Sequence, residues 1–160
     1  MLLLGHIGIT TFVSSMLYLP ILGGVIGVLL PDMVDKGLFV LGYAPCGRFV
    51  AHSIFFFPIA GLVTYIITKN KKLAVAVALG AFLHLLEDVH GDVPLLYPLK
   101  YYSFFDTCQQ VRISFSPYII TTEVIGGLIL VFMGVFNSRF SNLRKALWSR
   151  LKNIGIVKQW

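Results

Sequence analysis

Apolar residues fall into five long stretches, separated by short clusters of Gly, Pro and charge. The first runs from Leu3 to Leu19 and is expected to stop at Pro20. The second, Ile21 to Leu30, contains Gly23, Gly24 and Gly27 and closes on Pro31-Asp32. At about 1.5 Å per residue it covers only about half of a ~30 Å hydrocarbon core, so its end is expected at or below the membrane boundary. Three more follow: Phe49 to Thr68, Leu73 to Asp88, and Tyr118 to Phe136, the last with Gly126, Gly127 and Gly134 as expected close-packing positions. This pattern predicts an all-α integral membrane protein, a bundle of about five helices with one of them half-spanning.

The linkers refine that picture. Residues 42–47 form a turn-rich loop with Gly42, Pro45 and Gly47. The segment from Val89 to Pro117 carries Pro94, Tyr97, Pro98, Tyr101 and Tyr102, a content suited to the membrane interface. From Asn137 to Trp160, Arg139, Arg144, Lys145, Arg150 and Lys152 alternate with Phe140, Leu143, Leu147, Trp148 and Leu151. That predicts an amphipathic helix on an anionic membrane surface. The expected organisation is a membrane helical domain over 1–136 and a basic cytoplasmic tail over 137–160.

Composition agrees with a membrane solvent. Of 160 residues, 57% are hydrophobic and 12% charged, where soluble domains run near a quarter charged. The 13 Lys and Arg against 7 Asp and Glu sit in short blocks, so no nucleic acid partner is expected; membrane lipids are. The start, Met1-Leu2-Leu3-Leu4, lacks a positive region and a small-residue cleavage site, and is read as a retained helix. Cys46 and Cys108 are expected as two unpaired small hydrophobes, with a disulfide as the alternative if both face an oxidising side.

The placement of charge then suggests a topology. Lys69, Lys71 and Lys72 fill the turn between the third and fourth stretches, and six more bases follow the fifth. With both groups cytoplasmic, the chain alternates without contradiction and begins outside. Lys36, Arg48, Lys100 and Arg112 then lie outside, as do all four histidines and all seven acids. Ionisable groups at membrane depth are costly and mark function. His84 and Asp88, spaced i, i+4, share a helix face and could grip one ion, or could form a plain hydrogen-bonded pair. His52 is expected one helical turn beyond Arg48, and Thr10 and Ser14 are expected to orient the ring of His6. Asp32 could instead cap a turn, Glu123 could pair with Arg112, and His90 and Asp92 read as solvated loop residues. Imidazole with carboxylate suits zinc, or manganese or iron, and a guanidinium beside it suits a phosphate.

A histidine near the start, Leu-Pro-Asp32, Arg48-x3-His52-Ser53 and His84-Leu-Leu-Glu-Asp88 followed by Gly-x-x-Pro-Leu-Leu-Tyr-Pro resemble the inner-membrane metal-dependent hydrolases of the YdjM type. In motif order these are similar to zinc-dependent phospholipase C. The resemblance implies a principal metal site of Asp32, His52, His84 and Asp88, with Asp88 bridging to a second ion that also uses His6. The candidate catalytic residues are Asp32, Arg48 and Glu123. Three positions depart from the pattern: Gly47 replaces a histidine, Ala51 a threonine, and Asp35 stands one residue later than usual. Ile119 lies where a third metal's histidine would be. The expected function is metal-dependent hydrolysis of a phosphoester in a lipid or lipid-linked substrate at the outer face, using one or two zinc ions. The alternatives are an ion- or proton-translocating protein using the same cluster, and a structural subunit with a metal staple.

Overall fold

A computed structural model describes residues 3–89, 91–108 and 117–137, and among these the secondary structure is entirely helical. Five α-helices follow one another: α1 (Leu3–Met16), α2 (Ile21–Val40), α3 (Phe56–Thr68), α4 (Lys71–Glu87) and α5 (Pro117–Phe136). The expected helix count holds. The tail beyond Asn137, His90 and Arg112 lie outside the described residues.

Two expectations about element boundaries are overturned. The second helix does not end at Leu30: α2 continues through Pro31 to Val40. A proline removes one backbone donor from the ladder, but Gly24, Gly27, Val28 and Pro31 are all buried, mainly against α4. That packing carries the helix past the missing bond, so α2 is twenty residues long, not ten. The third helix, in turn, starts seven residues later than Phe49, at Phe56. Before it, Val50–His52 form a single 3-10 turn whose backbone donors go elsewhere. Arg48 and His52 are therefore not neighbours on a helix face.

Close glycine contacts fix the relative directions of the helices. An added Cβ on Gly80 would run into the backbone of Gly24 and Val28, and one on Gly23 would meet Leu73 and Ala76, so α2 and α4 run parallel. α1 and α5 are parallel too. Glu123 at the start of α5 accepts from Leu4 N and Gly5 N (2.9 and 3.0 Å), and Asn137 at its end donates to Ser15 Oγ (2.7 Å). The turn between α3 and α4 is tight: Lys69 takes a left-handed conformation and the Asn70 side chain caps α4 at Leu73 N (3.1 Å). These directions match the alternation that the charge pattern predicts. Gly126 sits in close contact with Leu4 and Gly5 as expected, whereas a Cβ at Gly134 would meet nothing within 4 Å.

Such backbone contact makes the glycines a stability determinant. Gly80→Val is expected to cost about 2 kcal/mol or more by forcing α2 and α4 apart, while Gly134→Ala leaves the melting temperature nearly unchanged. Thermal unfolding of the two purified variants in detergent measures the difference.

One described helix, Pro117–Phe136, has the length and hydropathy to cross a membrane, and only 11% of its apolar window is buried inside the protein. Leu3–Met16 and Phe56–Thr68 are apolar but shorter. The cysteines depart from expectation, since Cys46 and Cys108 form a disulfide. Their separation of 62 residues along the chain hides the pairing. The bond ties the loop after α2 to the segment before α5.

Candidate metal centre

Three segments converge at one end of the bundle. α2 delivers Asp32 and Asp35 from its second half, α4 delivers His84, Glu87 and Asp88 at its C-terminus, and α1 delivers His6 from its second turn. The irregular stretch before α3 adds Arg48 and His52. It is held in place by ring contacts of Phe49 with Tyr97 and Phe105 (centroids at 4.6 and 5.6 Å) and by Ile54 N donating to Leu95 O.

Asp35 organises this stretch. Its carboxylate is fully buried and accepts from the backbone N–H groups of Phe49, Ala51 and His52 (2.6, 2.9 and 3.2 Å) and from His52 Nδ1 (2.7 Å). A carboxylate can only accept, so His52 carries its proton on Nδ1 and presents a lone pair at Nε2. This is the carboxylate–imidazole pairing that orients a metal-binding histidine.

That lone pair faces His84. The two Nε2 atoms lie 3.1 Å apart with the rings edge to face. Asp32 Oδ1 is 3.7 and 3.9 Å from the His52 and His84 nitrogens, and Asp88 Oδ2 is 3.9 and 4.0 Å from them. For metal–donor bonds of about 2.0–2.2 Å, a regular tetrahedron has edges of about 3.3–3.6 Å. The His52 and His84 nitrogens and the Asp32 oxygen, 3.1 to 3.9 Å from one another, thus frame a position that a metal ion fits with small adjustments, with an Asp88 oxygen 3.9 and 4.0 Å from the two nitrogens. Asp32, His52 and His84 come together, as does a second group of His6, His84 and Asp88.

In the second group, His6 Nδ1 bonds Glu87 Oε2, which leaves its buried Nε2 without a hydrogen-bond partner. This atom lies 3.6 Å from Asp88 Oδ1. A lone pair facing a carboxylate oxygen is repulsive unless a cation, proton or metal, sits between them. His84 Nδ1 is likewise buried and unpartnered. Asp88 thus turns one oxygen toward each group, the geometry of a bridging carboxylate. Arg48 Nη2 donates to Asp88 Oδ2 (2.7 Å), and Lys36 Nζ to Asp32 Oδ2 (2.5 Å).

All five expected metal residues are therefore assembled, and Arg48 reaches them through Asp88 rather than by helical adjacency to His52. Glu123 is elsewhere: both its oxygens accept from the first turn of α1, where a carboxylate favours the helix dipole. The ring of His6 is oriented by Glu87. Thr10 and Ser14 are buried beneath it, but their hydroxyls have no partner. Asp35 and Glu87 are not among the expected site residues. Asp32, Asp35 and Lys36 share one helical face at spacings of three and four, a signal that appears once α2 is continued past Pro31. No local pattern marks Glu87, whose partner is 81 residues away.

A family model described as YdjM inner membrane protein matches residues 1–154. No curated protein and no solved structure matches the chain.

Proposed function

The chain belongs to the YdjM inner membrane protein family, and from that premise we propose that it is a membrane-embedded, metal-dependent hydrolase of a phosphoester carried by a lipid or lipid-linked substrate. One observation carries this reading: the His52 and His84 Nε2 atoms and an Asp32 oxygen converge within 3.9 Å of one another, with an Asp88 oxygen beside both nitrogens. Imidazole and carboxylate donors together suit zinc, with manganese or iron as alternatives. An ion there would supply Lewis acidity to the site. The chain's own groups do the rest. Asp32, with 30% of its side chain exposed, is the carboxylate of the donor set that an attacking water can reach. Arg48, 36% exposed, is placed to hold the phosphate oxygens.

The apolar outward faces of α1, α3 and α5 support an integral, multi-pass arrangement with the site near the lipid head groups. The disulfide, two residues from Arg48, supports an outward-facing site, because such bonds persist on the oxidising side. The decisive experiment is metal analysis of the detergent-purified protein, together with a screen of phospholipids and generic phosphoesters with and without chelator. Stoichiometric metal and chelator-sensitive turnover are expected. Protein that carries no zinc, manganese or iron would sink the reading.

A second reading, ion or proton translocation, draws on the buried, unpartnered hydroxyls of Thr10 and Ser14 running along α1 from His6. Against it, Ser14 Oγ lies hard against the Gly24 backbone, which narrows the track there. Ion flux in proteoliposomes with no phosphoester turnover would favour it.

A further inference from the structure

We propose that Lys36 and Arg48 form a two-pronged anion clamp at the mouth of the His/Asp cluster, which takes a phosphate group only when a divalent cation sits on the carboxylates beneath. This rests on the hydrolase reading for its metal and adds to it the pair of residues that holds the substrate's anionic group.

The two cations enter from different segments, Lys36 from α2 and Arg48 from the stretch before α3, and each ends on a different carboxylate of the same donor set. Lys36 Nζ meets Asp32 Oδ2 at 2.5 Å, and Arg48 Nη2 meets Asp88 Oδ2 at 2.7 Å. Those two carboxylates flank one imidazole nitrogen, His52 Nε2, at 3.7 and 3.9 Å. The cations therefore bracket the metal position. They are also its exposed rim: the side chains of Lys36 and Arg48 are 47% and 36% exposed, whereas those of His52, His84 and Asp88 are at 0 to 4%. An ammonium has three donors and a guanidinium five, so the bonds to Asp32 and Asp88 leave others for a ligand. Arg48 is seated against Gly91, where an added Cβ would run into its Nη1, so the backbone leaves room for the guanidinium at this spot.

Charge decides when the clamp works. Asp32, Asp35, Glu87 and Asp88 gather around the cluster, and a phosphate approaching them bare is repelled. In that state the two cations serve their carboxylates. A dication on the histidines and carboxylates reverses the local field, and the spare donors then face an incoming anion. The planar fork of Arg48 suits two phosphate oxygens, and Lys36 adds a point charge beside it.

Equilibrium dialysis of radiolabelled orthophosphate tests this on the full chain in detergent, stripped with chelator and then reloaded with metal. Reloaded protein is expected to bind phosphate at least about tenfold more tightly than stripped protein. Lys36→Gln should lose about tenfold of that affinity while keeping its metal, and Lys36→Arg should recover most of it, as the loss of one charge-assisted hydrogen bond implies. Arg48→Gln should lose as much, again with its metal retained. Phosphate binding equal in stripped and reloaded wild type, or unchanged in Lys36→Gln, overturns the clamp. So does loss of metal from Lys36→Gln, which would make Lys36 a holder of Asp32 alone. Phosphate binding that follows metal and Lys36 in a protein that hydrolyses no phosphoester would leave the clamp standing and remove the hydrolase. Turnover with phosphate binding indifferent to Lys36 would do the reverse.

Discussion

His84→Ala is expected to leave the protein folded but nearly devoid of metal, with affinity reduced by well over a hundredfold. The imidazole belongs to both potential metal groups, the one with Asp32 and His52 and the one with His6 and Asp88. Its removal takes a donor from each at once. Loss of an outer-shell partner alone costs 10- to 100-fold in affinity, so loss of a shared ligand should exceed that range. The accompanying packing loss is smaller. The ring stacks on His6 at 4.3 Å and meets His52 edge to face, and the cavity left behind costs about 2 kcal/mol or more, within reach of a folded bundle. Metal content by mass spectrometry, read beside a thermal melt in detergent, separates the two effects. A variant that melts near wild type and retains full metal would show that His84 is no ligand. One that fails to fold at all would support the structural-staple alternative.

How much of this site could be read from the sequence depends on the range of each interaction. His84 and Asp88 were legible because four residues on a helix bring two side chains to one face, and the structure keeps them at 4.0 Å. The gathering of histidines and acids at one end followed from the charge bias of the turns, and the parallel pairs α1/α5 and α2/α4 repeat that alternation. The third helix starts later than its apolar run from Phe49 predicts. The competing force is Asp35, which takes the backbone donors of Phe49, Ala51 and His52 and so keeps the stretch out of a regular helix. At Pro31 the opposite holds, since local propensity gives way to the burial of this part of α2. The Cys46–Cys108 bond and the His6–Glu87 pair join positions 62 and 81 residues apart, and no local periodicity carries such information.

Among the described residues, Asp35 is expected to be highly sensitive to truncation. Four donors converge on a carboxylate with no exposed surface, and they come from three backbone amides and one imidazole. Asp35→Ala strands all four in a site closed to bulk water. A buried charged network broken from one side typically loses about 3–5 kcal/mol, a large share of a small protein's stability. Asp35→Asn is the informative partner. The amide keeps one accepting oxygen and the same volume, but its NH2 turns donors toward donors, and His52 loses the anion that fixes its Nδ1 proton. The expected result is a folded protein whose metal affinity falls about 10- to 100-fold through misorientation of His52, with a modest drop in melting temperature. Metal titration and thermal melts on the two variants supply both readouts. If Asp35→Asn binds metal as wild type does, Asp35 serves only to shape the loop, and the coupling from carboxylate through imidazole to metal is absent.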